Sequence, residues 1–257
     1  MPTTSCFKPP ILTEQQIESF RRDGYLAVPG AFSAGDAAEI ESWTAEIAAL
    51  PEESGKHWVF HETSQIDPGT DLICRIEKVA PFHPGFEQIT RALAGPVGQL
   101  LGEDAVLFKE KINFKMPGGD GFKPHQDSQA GWEDYAKYFI TAMICIDEAT
   151  FENGCLQVVA GYQNRGLFRL WEPLNDEDMA GMEFTPAPTN PGDVLLFDSY
   201  APHYSEPNQS DKTRRLYFAT YNKSSEGDHY DQYHADKYKS FPPDIDRDPD
   251  REYVYRV

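Results

Sequence analysis

Apolar residues recur at helical spacing over the first fifty positions and then switch to runs that alternate or are continuously apolar. Thr13 and Gln16 form a capping-box pair, Ile17 and Phe20 follow three residues apart, and Gly24 is placed to stop that helix. "YLAVPG" (25–30) reads as a short strand, after which Ser33 caps a second helix over 34–50 that ends before Pro51. From residue 57 the strand candidates are "HWVFHE", "LICRIEKVA", "AVLFKEKINFKM", "YFITAMICID", "GCLQVVAG", "DVLLFD" and "TRRLYFATYNK", separated by Gly, Pro, Asn and Asp. One helix interrupts them at 84–101, and another is expected over 228–238, before Pro242-Pro243. There is no internal repeat and no low-complexity linker. The pattern predicts a mainly β fold with flanking α, a sandwich or barrel with N-terminal helices. It is expected to form one domain over 1–257: a helical flank (1–56), a β core (57–223) and a C-terminal tail (224–257). That tail covers the active site or a dimer surface, or packs on the outside.

Composition narrows the class. A hydrophobic fraction of 40% with 13% aromatics is too apolar for a disordered chain, and 257 residues suffice for one substantial core. The net charge of −19 repels phosphate backbones, so nucleic acid is not an expected partner. No apolar run is long enough to span a bilayer, and "MPTTSCFKPPILTEQQ" lacks the layout of a secretory signal. Cys6, Cys74, Cys145 and Cys155 include no CxxC spacing and read as reduced thiols of a cytoplasmic protein. Oligomeric state is left open.

Candidate chemistry begins in "GFKPHQDSQAGW" (121–132). Residues two apart in an extended segment project to the same side, so His125 and Asp127 can reach one point. Alone the pair is weak, since a loop histidine bonded to a nearby carboxylate looks the same. His203, at the far end of "NPGDVLLFDSYAPHYS", is the candidate third ligand. Two histidines and one carboxylate on one face of an ion form the facial triad of non-haem Fe(II) oxygenases, with the opposite positions open. Arg214 follows eleven residues after His203, at the start of "TRRLYFATY", where a hairpin return can bring its guanidinium beside the metal to grip a carboxylate. Alternation allows only one of Arg214 and Arg215 to point inward.

The ordered set of His-x-Asp, Pro-Gly-Asp strand to His, and then Arg resembles the Fe(II)/2-oxoglutarate dioxygenases, in particular their phytanoyl-CoA dioxygenase-like branch. The resemblance runs from "DGYLAVPG" through "PHQD", "ENGCLQVVAG" and "PGDVLLFDSYAPHYS" to "RRLYFATY". It implies a double-stranded β-helix (a cupin-like jelly roll) with iron held by His125, Asp127 and His203. It further implies that 2-oxoglutarate chelates the iron, that its distal carboxylate meets Arg214 and Ser205, and that O2 takes the remaining position. The outcome would be succinate, carbon dioxide and a hydroxylated substrate. Related halogenases carry a small residue where Asp127 stands, so the carboxylate favours hydroxylation. One departure lies at Gly161-Tyr162-Gln163, where family members often read Gly-Ser-His beside the substrate mouth.

Substrate clues come from "KEKINFK" (109–115), where Lys109, Lys111, Asn113 and Lys115 share one strand face. That face is either solvated or holds anionic groups, with Asn113 and Lys109 assigned to the cosubstrate and Lys111 to the substrate. "LFKEKINFKMPGGDGFKPHQD" is also similar to sequences of the branch that hydroxylates 2-aminoethylphosphonate and its N-methylated relatives. Lysines suit a phosphonate, and aromatics such as Trp132, Tyr135 and Tyr138 suit an ammonium. Lys123 and Tyr162 complete the candidate substrate contacts. An acyl-CoA is disfavoured, because an acidic chain offers no evident surface for nucleotide phosphates. His229 and His234 read as surface residues. The competing readings are a hydroxylase of another small zwitterion or natural product, a non-catalytic metal-containing sensor on the same barrel, and a 2-oxoglutarate-independent cupin-type metalloenzyme.

Overall fold

The computed structural model describes residues 7, 8 and 10–254. Two antiparallel sheets face each other. The larger has the strand order β1 (Tyr25–Val28), β9 (Val194–Asp198), β6 (Phe139–Cys145), β11 (Arg214–Lys223), β4 (Ala105–Lys115), β3 (Asp71–Glu77), β2 (Trp58–Thr63). The smaller is β5 (Phe122–His125), β10 (His203–Ser205), β7 (Leu156–Val159), β8 (Phe184–Ala187). This is the expected mainly β jelly roll with flanking helices. The N-terminal flank also contributes a strand, because β1 pairs with β9 along the edge of the large sheet.

Period-two alternation sorts the large sheet's side chains into two cores. Ile140, Ala142 and Ile144 of β6, Val194 and Leu196 of β9, and Tyr217 and Ala219 of β11 pack with the helices. Those helices are α1 (Glu14–Asp23), α2 (Ala34–Ala48) and α3 (Pro84–Leu101). They supply Phe20, Ile40, Phe86, Ile89, Leu93 and Val97, and each fully buried apolar side chain stabilises by roughly 2 kcal/mol. The two buried phenols are satisfied on α3: Tyr221 donates to the Thr90 carbonyl at 2.6 Å, and Tyr217 pairs with the Thr90 hydroxyl at 2.5 Å. The opposite positions, Met143, Leu195, Phe197, Leu216 and Phe218, meet Leu156 and Val158 of β7 between the sheets.

The capping boxes at Thr13 and Ser33 are present, and Gly24 ends α1 at φ 80°. The sequence pattern did not register β5, β8 or β10, since three or four residues are too few to show a period. Cys74, Cys145 and Cys155 are free thiols, and Cys6 lies outside the described residues. No helix among the described residues is long and apolar enough to cross a membrane.

The tail helix α4 (Tyr230–Ser240) docks on the β3–β4 region. The expectation that His234 lies on the surface is corrected. It is 2% exposed, packs edge-on to Trp58 at 5.3 Å and bonds the Tyr230 carbonyl through Nδ1 at 2.8 Å. Burial pushes its pKa down to about 4, so the ring packs as a neutral aromatic. His229 bonds the Glu226 carbonyl at 2.7 Å. At the start of α4, Tyr230 donates its hydroxyl to Glu110 Oε1 at 3.1 Å, on the helix-facing side of β4. Glu110 also accepts from the Ala80 amide at 2.9 Å, while its Oε2 is buried without a partner.

Burial raises the Glu110 pKa to about 7 from an ordinary 4.5. Between these values the native state keeps a proton that the unfolded chain has released, so this group costs stability as pH rises through the window. Glu110→Gln removes that cost. Its stability relative to wild type, from urea midpoints, is expected to improve by on the order of 2 kcal/mol between pH 5 and pH 8. An unchanged difference would show that Glu110 is ionised in the fold.

Candidate active site

The small sheet builds the metal end. His203 of β10 lies directly opposite His125, the last residue of β5, and their ring centroids are 4.3 Å apart. Extended backbone continues through Gln126, and Asp127 opens a 3-10 turn over Asp127–Ala130, so its carboxylate swings under both rings. Asp127 Oδ1 stands 3.8 Å from His125 Nε2 and 3.9 Å from His203 Nε2. One ligand atom from each of the three residues lies within 4.8 Å of the others, the only such cluster among the described residues. Gln126, between His and Asp, points the other way. Its amide donates to the Tyr200 and Gly166 carbonyls at 2.8 and 2.9 Å and accepts from the Phe168 amide at 2.8 Å, which locks the turn.

The tautomers follow from local bonds. His125 Nδ1 contacts the Lys123 carbonyl at 2.7 Å and His203 Nδ1 the Ala201 carbonyl at 2.9 Å. A carbonyl only accepts, so both Nδ1 atoms carry the proton and both Nε2 lone pairs face Asp127. Burial, then the neighbouring His203, pushes the His125 pKa down to about 3, keeping the imidazole neutral for ligation. Burial works against the Asp127 charge, but His203, Lys109, His125 and Lys111 outweigh it and hold that pKa below the ordinary carboxylate value. Thr141 donates to Asp127 Oδ2 at 3.4 Å and pairs with Thr220 at 2.9 Å. Two imidazole nitrogens and one carboxylate converging from one side suit a divalent iron with open positions toward the chamber.

Arg214 marks the other end of that chamber. It is 2% exposed on the inward face of β11, and its Nε has no hydrogen-bond partner. Burial lowers its pKa to about 10 without neutralising it. Arg215 points outward and is held by Asp147 through Nε and Nη2, both at 2.7 Å. An unpaired buried guanidinium costs several kcal/mol, so the chamber requires an anion there, as the distal carboxylate of 2-oxoglutarate would provide. Ser205 lines the same chamber and accepts from Lys115 Nζ at 2.8 Å, which leaves its own hydroxyl proton to donate. Lys115 also donates to the Glu206 carbonyl. Sequence reasoning left out this brace, although Lys115 was on the right strand face.

The lysine face of β4 points inward. Lys109, Lys111 and Asn113 line the chamber, and Asn113 is 5% exposed with Oδ1 unpartnered. Trp132 does not reach the cavity; it is 1% exposed, and Lys109 Nζ sits 3.9 Å above its ring. Tyr135 lines an outer cavity and donates to Asp236 at 3.2 Å. Tyr138 donates to Asp198 at 2.7 Å, away from the chamber. The exposed Lys123 lines a second outer cavity, of about 900 Å³, beside His125 and Asn113. Tyr162 is not brought to the site: it donates to the Gly181 carbonyl at 2.8 Å, with Arg165 over its ring. Its neighbour Gln163 donates to the Arg21 and Arg22 carbonyls at 3.1 and 3.3 Å, so the departure at 161–163 ties this turn to α1. Trp171 was missed. It has φ 64°, unusual for a bulky residue, and lines both outer cavities. No sequence signal marks it.

The Phytanoyl-CoA dioxygenase (PhyH) family profile matches residues 20–216. The 2-aminoethylphosphonate dioxygenase of uncultured bacterium HF130_AEPn_1 is 39% identical over 246 residues, covering 94% of this chain and 93% of that protein. The methylphosphonate hydroxylase of Gimesia maris is 38% identical, covering 90% and 88%. Among solved structures, EctD from S. alaskensis with 2-oxoglutarate and 5-hydroxyectoine superposes with a TM-score of 0.73 at 23% identity, covering 84% of this chain and 77% of that one. The chain is an iron(II)- and 2-oxoglutarate-dependent dioxygenase that uses O2. It belongs to the phytanoyl-CoA dioxygenase family.

Arg214→Met should move two measurements in opposite directions. Apo-protein is expected to melt at the same or a higher temperature, because an unpaired buried charge is gone. Affinity for 2-oxoglutarate, read from the charge-transfer band in an anaerobic Fe(II) titration, should fall on the order of 100-fold. Retained affinity would remove Arg214 from the cosubstrate site.

Proposed function

We propose that the enzyme hydroxylates a carbon of a small organophosphonate of the 2-aminoethylphosphonate type, including N-methylated forms. The observation that carries the cosubstrate chemistry is the unpaired Arg214 facing a chamber whose other end is His125, Asp127 and His203. The substrate class is supported by two relatives at 38–39% identity whose names carry phosphonates, and by the half-buried Lys111 at the chamber wall.

In this reading His125 and His203 bind iron through Nε2, and Asp127 contributes the charged third ligand. When bound, iron with 2-oxoglutarate and O2 supplies the oxidation, converting 2-oxoglutarate to succinate and carbon dioxide while a substrate C–H becomes C–OH. Arg214 and Ser205 orient the distal carboxylate, so the keto-acid end points at the triad. Asn113 and Lys109 lie along the same wall and bind its polar groups. Thr141 holds Asp127 by its second oxygen, keeping the first free for the metal. Phe197 and Phe218 line the chamber and limit water. Lys111 meets the phosphonate, with Lys123 and Tyr135 at the two outer openings.

The test is aerobic turnover with 2-aminoethylphosphonate, its N-methylated forms and methylphosphonate. Succinate release should match product formation one for one, with the product identified by its phosphorus NMR shift. Asp127→Gly is expected to bring hydroxylation below detection. Coupled turnover of a non-phosphonate zwitterion, with none on any phosphonate, would replace the substrate class and leave the reaction class standing.

A further inference from the structure

Glu77 of β3 and Lys111 of β4 are directly opposite in the sheet, the arrangement in which opposite charges normally pair across strands. They do not pair here. Glu77 is bonded instead to Arg75 Nε at 2.8 Å and, through both oxygens, to Lys237 Nζ of α4 at 2.7 and 2.6 Å. Lys111 is left with no hydrogen bond or ion pair among the described residues; the Phe218 and Phe122 ring centroids lie 5.3 and 5.5 Å away. Lys109 and Lys237 both approach one aromatic, with Nζ atoms 5.7 and 5.9 Å from the Tyr233 ring centroid.

These groups wall a cavity of about 450 Å³ that shares Lys109 and Lys111 with the iron and 2-oxoglutarate chamber. Glu77 lines this cavity together with Lys109, Lys111 and Lys237, with Arg75 beside it. Three further acids line the same cavity: Asp236 is tied to Lys239 at 2.8 Å and accepts from Tyr135 at 3.2 Å, and Asp134 and Glu252 are exposed. Asp127 of the triad lies near enough for Lys109 and Lys111 to hold its pKa down. A half-buried Lys111 with no hydrogen bond or ion pair among the described residues, on the same wall as Lys109 and Lys237, suits an anion. The crowding is visible in the lysines themselves. Burial, then Arg75, lowers Lys111 to about 8, and burial with Arg75 and Lys109 outweighs Glu77 to bring Lys237 to about 7.

We propose that Lys237, from the C-terminal helix, joins Lys109 and Lys111 in an anion subsite that holds the phosphonate group of the substrate. The inference rests on the organophosphonate reading and extends it, since it makes α4 part of the substrate site. Glu77 holds the Lys237 ammonium in place before substrate arrives, and the phosphonate oxygens supply the missing negative charge. Because Lys109 and Lys111 border the chamber, an anion bridging the three lysines directs the carbon bonded to phosphorus toward the triad.

The test uses iron-loaded enzyme with 2-oxoglutarate, and both 2-aminoethylphosphonate and methylphosphonate as probes. Lys237→Met should raise KM for both by on the order of tenfold or more, with the 2-oxoglutarate affinity from the charge-transfer band unchanged. Lys237→Arg should recover most of the loss. The double variant Glu77→Gln with Lys237→Met removes both partners of the ion pair, which protects the fold from an unpaired carboxylate. It should remain as weak as the single variant. If the double variant restored the wild-type KM, Lys237 would only neutralise Glu77 and the subsite would be overturned. Wild-type KM in Lys237→Met would overturn it too, while leaving the phosphonate reading intact. Wild-type enzyme that turns over neither probe nor any N-methylated 2-aminoethylphosphonate would instead overturn that reading, and the subsite with it.

Discussion

The site depends on one short antiparallel pairing, that of β10 with β5, which sets His203 across from His125. Strands of three and four residues have little stability of their own, so their register comes from their surroundings. β10 is held on its other edge by β7, with His203 opposite Val158. The β5 end is pinned by Gln126, whose amide is fully committed to backbone groups of two other segments. A slip of one residue would turn a histidine out of the chamber. Both imidazoles are oriented by carbonyls two residues earlier in their own chain, so once the strands pair, the ligand atoms need no further adjustment.

Charge is organised against the protein's overall sign. The chain carries −19 in total, yet the space between the sheets gathers Arg214, Lys109 and Lys111, with Asp127 as the carboxylate on the same lining. The acidic surplus is elsewhere, so the chamber is a local positive well that favours small anions. Adjacent residues show how closely this is arranged. Arg215 is neutralised by Asp147 on the outer face, whereas Arg214, one residue away on the inner face, has its guanidinium Nε unpartnered. The same β-strand alternation that sorts apolar residues into two cores separates an ion-paired outward arginine from a buried inward one.

The C-terminal helix links fold and chemistry. Tyr230 anchors its start to Glu110 on one side of β4, and Lys237 reaches Glu77 on the other side of the same sheet region. Trp58 and His234 pack between these attachments. A segment rich in Tyr and charge, which by composition is equally suited to a solvated surface, is thereby committed to the cavity wall.

Much of this was legible along the chain. The capped helices, the long strands, the inward choice between Arg214 and Arg215, and the set of His125, Asp127, His203 and Arg214 follow from spacing and residue type. These features are local, or combine residues whose chemistry is rare enough to signal itself. The roles of Trp132, Tyr162, His234 and Trp171 were not legible, because an aromatic or imidazole ring is equally at home in a core and at a cavity. Trp132 ends beneath Lys109, Tyr162 on Gly181 and His234 against Trp58, while Trp171 turns into the two outer cavities. The lysine face of β4 was identified as a face with two readings, solvated or anion-binding, and the structure turns Lys109, Lys111 and Asn113 into the chamber. The sequence by itself determined which residues can ligate a metal and which share a strand face, since both depend on covalent neighbours a few positions apart. Only the tertiary structure decided that Glu77 binds Lys237 rather than Lys111, because that choice depends on where a helix 160 residues later comes to rest.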